Sequence, residues 1–363
     1  MKRIKVALLF GGKSGEHEVS LVSAASVFKH IDKERFDVAL IAVDKDGAWF
    51  LQPQPLYDEK EGGFVVERKE ENRVYAVPAG GLRTMAKPLD IELVFPVLHG
   101  TFGEDGTVQG LLELCDLPYA GAGVLGSSLC MDKAAVKRIW IQAGLPVVPF
   151  EELREVSWKR SKGAAASVRR AVDRFSFPLF VKPSRAGSSV GVSRCETEEG
   201  LYAAIEDAFS FDDKLLIEPA VQAKEIECSV IGNQELTTFA PGEIVPSHDF
   251  YDYDAKYIDP DGANLLIPSS LNEEQQKMVR QISARAYRVA EAEGFARVDC
   301  FYEEATGKVL LNEINTIPGF TKISMFPKLC ENGGVAYGEL LTKLLDLAVD
   351  RHKIRGAKSY QWS

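Results

Sequence analysis

The stretch from Arg297 to Ser324 constrains this chain more than any other. It begins Arg-Val-Asp-Cys-Phe-Tyr, turns at Ala305-Thr306-Gly307, and returns through Val-Leu-Leu-Asn-Glu-Ile-Asn to Pro318-Gly319. Read as two strands, alternate side chains share a face. Arg297, Asp299 and Phe301 lie on one face of the first strand, and Glu313 and Asn315 on one face of the second. If the faces coincide, two carboxylates and an amide oxygen meet beside an arginine. Such hard oxygen ligands suit Mg²⁺ or Mn²⁺ rather than zinc. Paired carboxylates need a cation or a proton. A β-hairpin with a solvated acidic face is the plainer alternative. The apolar flanks Val309-Leu310-Leu311 and Ile314 weigh against it, because buried acids are costly without partners.

Length allows two or three domains, since the chain has 363 residues. The formal charge of −10, from 43 basic and 53 acidic residues, argues against nucleic-acid or membrane-surface binding. An anionic substrate then needs local positive charge. Six scattered cysteines, none in a C-x-x-C pair, predict reduced thiols rather than zinc or disulfides. The apolar run Val6–Phe10 is too short for a secretory leader, and no run nears the roughly 18 apolar residues of a membrane helix.

Ile4–Phe10 reads as a buried parallel strand, followed by a loop holding Glu16, a helix with Leu21, Ala24, Phe28 and Ile31, and a strand Phe36–Val43. This order predicts an open parallel sheet with ligands at its carboxyl strand ends. No G-x-G-x-x-G fingerprint is present. Glu16 is consistent with a ligand ammonium or with an ordinary exposed glutamate. Residues 45–90 read as an irregular insertion or a small hairpin. A strand Glu92–Leu98 ends in His99 and a loop with four glycines in twelve residues, which lets backbone approach a ligand. His99 is structural or functional on this reading.

A helix opens at Asp132-Lys133, with a domain boundary near 125–135. Residues 151–175 read as surface helix. A strand Phe177–Pro183 carries Lys182 and leads into Ser184–Gly191, small residues able to lay N–H groups over phosphate or simply to turn. After the strand Lys214–Glu218, Pro219-Ala220-Val221 offers backbone groups to an adenine, with Glu218 and Glu225 available to a ribose or an exocyclic amine. Residues 247–267 form a long aromatic loop, read as a closing lid. Ser270–Glu273 reads as a capping box. The helix behind it carries Met278, Ile282, Ala286 and Val289 and stops at Gly294. A last amphipathic helix covers about 336–350, and the basic tail from Arg351 is expected to fray.

Several stretches together resemble the D-alanine–D-alanine ligase family of the ATP-grasp superfamily. They are Gly11–Ser20, His99–Gly110, Met131–Lys133, Val181–Pro183 with Gly187–Gly191, Asp252–Tyr257, Arg297–Asp299 and Asn312–Gly319. They occur in family order across nearly the whole chain. The resemblance implies a mixed α/β and α+β fold: an N-terminal open parallel-sheet (pre-ATP-grasp) domain over 1–130, then an ATP-grasp clamp of two domains. The clamp comprises 131–222 and 223–363, the latter with the lid 247–267 and the metal site. It also implies a reaction. The carboxylate of one D-alanine attacks ATP to give an acyl phosphate. The amine of a second D-alanine then displaces phosphate, making a precursor of peptidoglycan.

By the same resemblance, Glu16 holds the first ammonium, His99 lies near the first carboxylate, and Ser324 binds the second carboxylate with Met325 beside it. Arg297 and the Gly319 N–H form an oxyanion hole. Ser188 and Tyr257 hydrogen-bond toward Glu16 and close the lid. ATP falls to Lys133, Lys182, Ser189, Glu218, Pro219, Ala220, Val221, Glu225, Lys256 and Phe301. Asp299, Glu313 and Asn315 hold Mg²⁺ or Mn²⁺, two ions per site. A cytoplasmic homodimer using D-alanine and ATP is implied. Relatives that make D-alanyl-D-lactate carry a histidine where this chain has Tyr257, so the dipeptide is expected. The alternatives are that ester activity, another carboxylate–amine ligase of the superfamily, and a nucleotide-binding regulator without catalysis.

Overall fold

The computed structural model describes residues 2–58, 60, 62–161, 166–246 and 263–359. Three sheets follow one another along the chain. The first contains β1 (Ile4–Gly11), β2 (Phe36–Val43), β3 (Trp49–Gln52), β4 (Arg73–Val77), β5 (Gly81–Thr84) and β6 (Leu93–Val97), in the order β5-β4-β3-β2-β1-β6. β1 pairs in parallel with β2 and β6. Its residues Val6–Leu9 are fully buried, as a two-sided parallel strand requires. The helix His17–His30 follows β1 and covers the sheet. The expected parallel sheet is thus its centre, and antiparallel β3, β4 and β5 extend one edge. The segment 45–90 therefore supplies a sheet extension, including a β4–β5 hairpin.

The second sheet contains β7 (Glu151–Arg154), β8 (Leu179–Pro183), β9 (Ser193–Cys195) and β10 (Lys214–Pro219), in the order β7-β10-β8-β9. Of the surface helix expected over 151–175, the first four residues are strand and most of the described remainder is helix. Residues Glu151–Arg154 form a strand whose Leu153 is buried, and helices Glu155–Arg160 and Ala166–Arg174 follow. Charged neighbours concealed a short edge strand.

The third sheet contains β11 (Lys224–Ile231), β12 (Thr237–Thr238), β13 (Gly242–Pro246), β14 (Ala263–Leu266), β15 (Phe295–Glu303) and β16 (Lys308–Asn315). Its order is β14-β13-β11-β15-β16, with β12 paired to β11. Residues 263–266 of the expected lid loop are strand, and β14 pairs with β13. Lys256 and Tyr257 lie outside the described residues. The helix Glu273–Val289 is capped by Asn272 and Gln275 rather than by Ser270 and Glu273. Ser270 instead gives its hydroxyl to Glu243 at 2.5 Å. The helix ends at Val289, short of Gly294. Its buried face is Val279, Ser283, Ala286 and Tyr287, one residue round from the Met278 and Ile282 expected there.

The helix Tyr337–Gly356 buries Leu340, Leu341, Leu344 and Leu345 in one core with Phe95 and Val97 of the first sheet. Each such leucine contributes about 2–3 kcal/mol relative to exposure. The tail is not frayed at Arg351. That side chain is buried and donates to the carbonyls of Tyr119 and Gly121. The end of the chain therefore closes the core of the beginning and fixes the first sheet against the third.

Candidate active site

On the hairpin, Arg297 pairs across from Asn315 and Asp299 from Glu313. The faces therefore coincide. A bulge follows Asp299, where Cys300 next pairs with Leu311, so Asn312 is the extra residue. On the other side of β15, Glu227 of β11 stands opposite Asp299. Glu227, Asp299 and Glu313 thus form a row of acids across three strands. Arg297 binds Asp299 through Nε and Nη2, each at 2.7 Å, and its Nε lies 3.1 Å from Glu227. Burial opposes the guanidinium charge, but the Asp299 and Glu227 carboxylates outweigh it and keep Arg297 protonated. Asn315 donates its amide to Asp299 at 2.9 Å. Glu227 went unread in the sequence, although Glu225 and Glu227 alternate there as strand neighbours do.

Asp299, Glu313 and Asn315 provide an all-oxygen donor set on one face, which fits a hard divalent cation. Among the described residues, no three His, Cys, Asp or Glu side chains gather at metal-binding spacing. The set has two carboxylates and one amide. Lys133 lies 3.0 Å from Glu313 and also donates to Ala186 O at 2.8 Å. Burial alone would lower the Lys133 pKa, but Glu313 raises it overall. Asp132 caps the helix that starts at Lys133, accepting from Ala135 N at 3.0 Å.

Lys182 reaches Glu218 at 2.7 Å and Asn312 Oδ1 at 3.4 Å. Lys137, fully buried one turn after Lys133, bonds the other Glu218 oxygen. Burial pushes the Lys137 ammonium down to about 8. Burial also opposes ionisation of Glu218, yet the two lysines prevail and hold its carboxyl below the usual range. Glu218, expected at a ribose or an amine, is 1% exposed and anchors two lysines. The role of Lys137 could not be read from sequence, because burial of a lysine leaves no local mark.

Glu16 sits at the head of the first helix, 9% exposed, and accepts a hydrogen bond from Ser188 Oγ. A Cβ on Gly100 would come within 2.5 Å of Glu16 Oε2, so glycine there admits the carboxylate. Ser188 and Ser189 take left-handed φ values of 50° and 59°, a strained backbone of the kind that clusters at functional loops. Glu104 is buried beside them and accepts from Gly100 N at 2.9 Å and Ile317 N at 2.8 Å. Burial, helped by the Glu16 charge, pushes the Glu104 carboxyl up to about 8. Glu16, Glu104, Lys133, Gly187, Glu313 and Asn315 line one cavity of about 30 Å³.

His99 is buried, with Nδ1 2.8 Å from Ile317 O and Nε2 3.0 Å from Ser23 Oγ. Both ring nitrogens are engaged by protein, and burial lowers its pKa toward the neutral form. Gly319 faces Ser324, whose Oγ would lie 2.6 Å from any Cβ added there. Ser324 Oγ also accepts from Thr321 N at 3.0 Å. The Met325 side chain is buried in the core against Gly242. At the end of β10, Ala220 N already donates to Pro178 O at 3.0 Å, while Pro219, Ala220 and Val221 remain partly exposed. Glu225 and Phe301 face each other across β11 and β15 and are also partly exposed.

The chain matches the family described as D-ala D-ala ligase N-terminus over residues 5–122, and D-ala D-ala ligase C-terminus over residues 139–346. It is 45% identical over 358 residues to a D-alanine–D-alanine ligase of Treponema denticola, covering 96% of this chain and 97% of the relative. A D-alanine–D-alanine ligase A of Bradyrhizobium diazoefficiens is 44% identical over 365 residues, covering 97% of each. Among solved structures, the D-alanine–D-alanine ligase of Coxiella burnetii aligns with a TM-score of 0.83 at 34% identity, covering 98% of this chain and 97% of that one. A D-Ala:D-Ser ligase of Enterococcus faecalis aligns with a TM-score of 0.81 at 32% identity, covering 96% of this chain and 100% of that one. With both of its halves matched in order, the chain belongs to the D-alanine–D-alanine ligase family, of ATP-grasp fold.

Proposed function

We propose that this protein joins two D-alanines to D-alanyl-D-alanine with ATP, through an acyl phosphate, for peptidoglycan precursors. One observation carries the reading. The cavity that holds Glu16, an anchor for an amino-acid ammonium, also holds Lys133 and Glu313 of the phosphate and metal side. Side chains for the amino acid and for the γ-phosphate thus line one cleft.

Glu16, held by Ser188, takes the ammonium of the first D-alanine. Its carboxylate oxygen attacks the γ-phosphorus and ADP leaves. Lys133 and Lys182 neutralise negative charge on the phosphates during the transfer. Asp299, Glu313 and Asn315 would hold Mg²⁺ or Mn²⁺, which supplies further charge neutralisation on the phosphates. Ser324 takes the carboxylate of the second D-alanine. Its free amine attacks the acyl carbon, and Arg297 with the Gly319 N–H receives the developing oxyanion. Losing one such donor typically costs about 10²–10³ in rate. The attacking nitrogen's proton passes to the departing phosphate, which leaves with the bonding pair, and the peptide bond remains. Excluding water matters because an acyl phosphate hydrolyses. By resemblance, Lys256 reaches the transferring phosphate and Tyr257 completes the lid.

We place the domain boundaries at 1–130, 131–222 and 223–363, so that each part carries one of the three sheets. Ser189, Pro219, Ala220, Val221, Glu225 and Phe301 then border the nucleotide between the second and third. A homodimer in the cytoplasm extends the resemblance. Exposed Phe102, Leu114 and Leu125 give it apolar surface, and no helix among the described residues is long and apolar enough to cross a membrane. The test is phosphate release with ATP and Mg²⁺, comparing D-alanine with L-alanine. Release with D-alanine alone supports the reading. Equal release with both, or none with either, overturns it.

A further inference from the structure

Three side chains of the first domain converge on the backbone of Ile317 and Phe320 in the third. Glu104 Oε1 accepts from Ile317 N at 2.8 Å. His99 Nδ1 stands 2.8 Å from Ile317 O. Ser23 Oγ accepts from Phe320 N at 3.3 Å and lies 3.0 Å from His99 Nε2. One proton arrangement satisfies every atom. The Phe320 N–H donates to Ser23 Oγ, the Ser23 hydroxyl donates to Nε2 of a neutral His99, and Nδ1–H donates to Ile317 O. The other Glu104 oxygen accepts from Gly100 N at 2.9 Å, so the glutamate itself is fixed. All three side chains are buried. The Ile317 peptide is held at both its N–H and its C=O, and the Phe320 N–H is held as well. Gly319 lies between these anchors.

We infer that Ser23, His99 and Glu104 form a positioning clamp that fixes the turn 317–320 and so aims the Gly319 N–H at the oxyanion. None of the three needs to touch substrate. The clamp also explains why His99, at a strand end beside the amino-acid site, spends both nitrogens on protein. It couples the loops that shape the Glu16 pocket to the turn that serves the second chemical step. This inference rests on the ligase reading.

The consequence is specific to that second step. A displaced Gly319 N–H leaves phosphoryl transfer intact but slows attack by the second amine. The acyl phosphate is then lost to water, which returns D-alanine and inorganic phosphate. The ratio of dipeptide to phosphate falls below one. General destabilisation would lower both products together and leave the ratio unchanged.

Glu104→Gln tests this directly. The amide offers one acceptor where two N–H groups need two, and its NH₂ opposes the other donor. Phosphate and dipeptide are measured in parallel for wild type and variant with ATP, Mg²⁺ and D-alanine above pH 8, where the Glu104 carboxyl is ionised and offers both oxygens. The expected result is a ratio near one for wild type and a drop of about 10-fold or more in dipeptide per phosphate for the variant, by analogy with a lost oxyanion donor. An unchanged ratio in a folded Glu104→Gln protein would overturn the clamp. Absence of dipeptide from the wild type would overturn the ligase reading, and the clamp with it. If Glu104→Gln does not fold, His99→Asn and His99→Ala give the same readout. Asparagine restores an N–H near the Nδ1 position and should keep the ratio closer to wild type than alanine does. Equal ratios for the two would count against the clamp.

Discussion

Ser188 Oγ donates a hydrogen bond to the carboxylate of Glu16 across 172 residues of sequence. The bond joins a strained loop after β8 to the head of the first helix, and so joins the second sheet to the first. A hydrogen bond to a charged group is worth about 1.5–3 kcal/mol. Ser188→Ala should therefore raise the KM for D-alanine about tenfold or more and change the KM for ATP much less. Steady-state kinetics in each substrate checks this. Equal effects on both would remove Ser188 from the amino-acid site.

Glu218 is buried between Lys137 and Lys182. Replacing it with glutamine removes the counter-charge shared by buried Lys137 and part-buried Lys182. Breaking a buried pair in this way typically costs about 3–5 kcal/mol. Glu218→Gln should lower the melting temperature clearly and weaken ATP binding, because Lys182 loses its anchor. The double variant Glu218→Gln, Lys137→Met should recover part of the loss. Calorimetry of the three proteins decides it, and full stability of the single variant would contradict the pairing.

Glu104 titrates in the opposite sense to an ordinary salt-bridged acid. Its folded pKa is raised to about 8 from the usual 4.5. Between those values the folded state holds a proton that the unfolded state has released. Stability from this group is present at the acid end of the window and is lost as pH rises toward 8. The slope approaches about 1.4 kcal/mol per pH unit. Thermal unfolding of wild type and Glu104→Gln from pH 5 to 8 should show the wild type losing stability relative to the variant as pH rises. A constant difference would mean that Glu104 is ionised throughout.

Arg351 donates to the carbonyls of Tyr119 and Gly121 from inside the last helix. Truncation after Asp350 would leave two buried acceptors unpaired, at about 1–3 kcal/mol each. The truncated protein should melt measurably lower, and Arg351→Met should reproduce most of the effect. A truncated chain as stable as the intact one would make the contact superficial.

The hairpin of Arg297, Asp299, Glu313 and Asn315 was readable from sequence because strand alternation is a local property and the two strands adjoin. The first βαβ unit was readable for the same reason. Where the expectations failed, the deciding partner is far along the chain. Arg351 begins a basic run that resembles a frayed end, yet its acceptors stand about 230 residues earlier. Glu104 occupies a polar glycine-rich loop where a glutamate is normally solvated, and its partner Ile317 N is 213 residues away. Lys137 stands one turn beyond Lys133, and only the fold shows that it is buried against Glu218. At Ser270 the capping pattern was present, and the tertiary partner Glu243 took the hydroxyl. The cap moved two residues on, to Asn272, whose side chain met no such competitor.

The most direct measurement is the mass of the product formed from ATP, Mg²⁺ and D-alanine when D-lactate and D-serine are present in equal amount. D-alanyl-D-alanine should be the main product, with one phosphate released per dipeptide. A dominant ester with D-lactate, or a dominant dipeptide with D-serine, would contradict it.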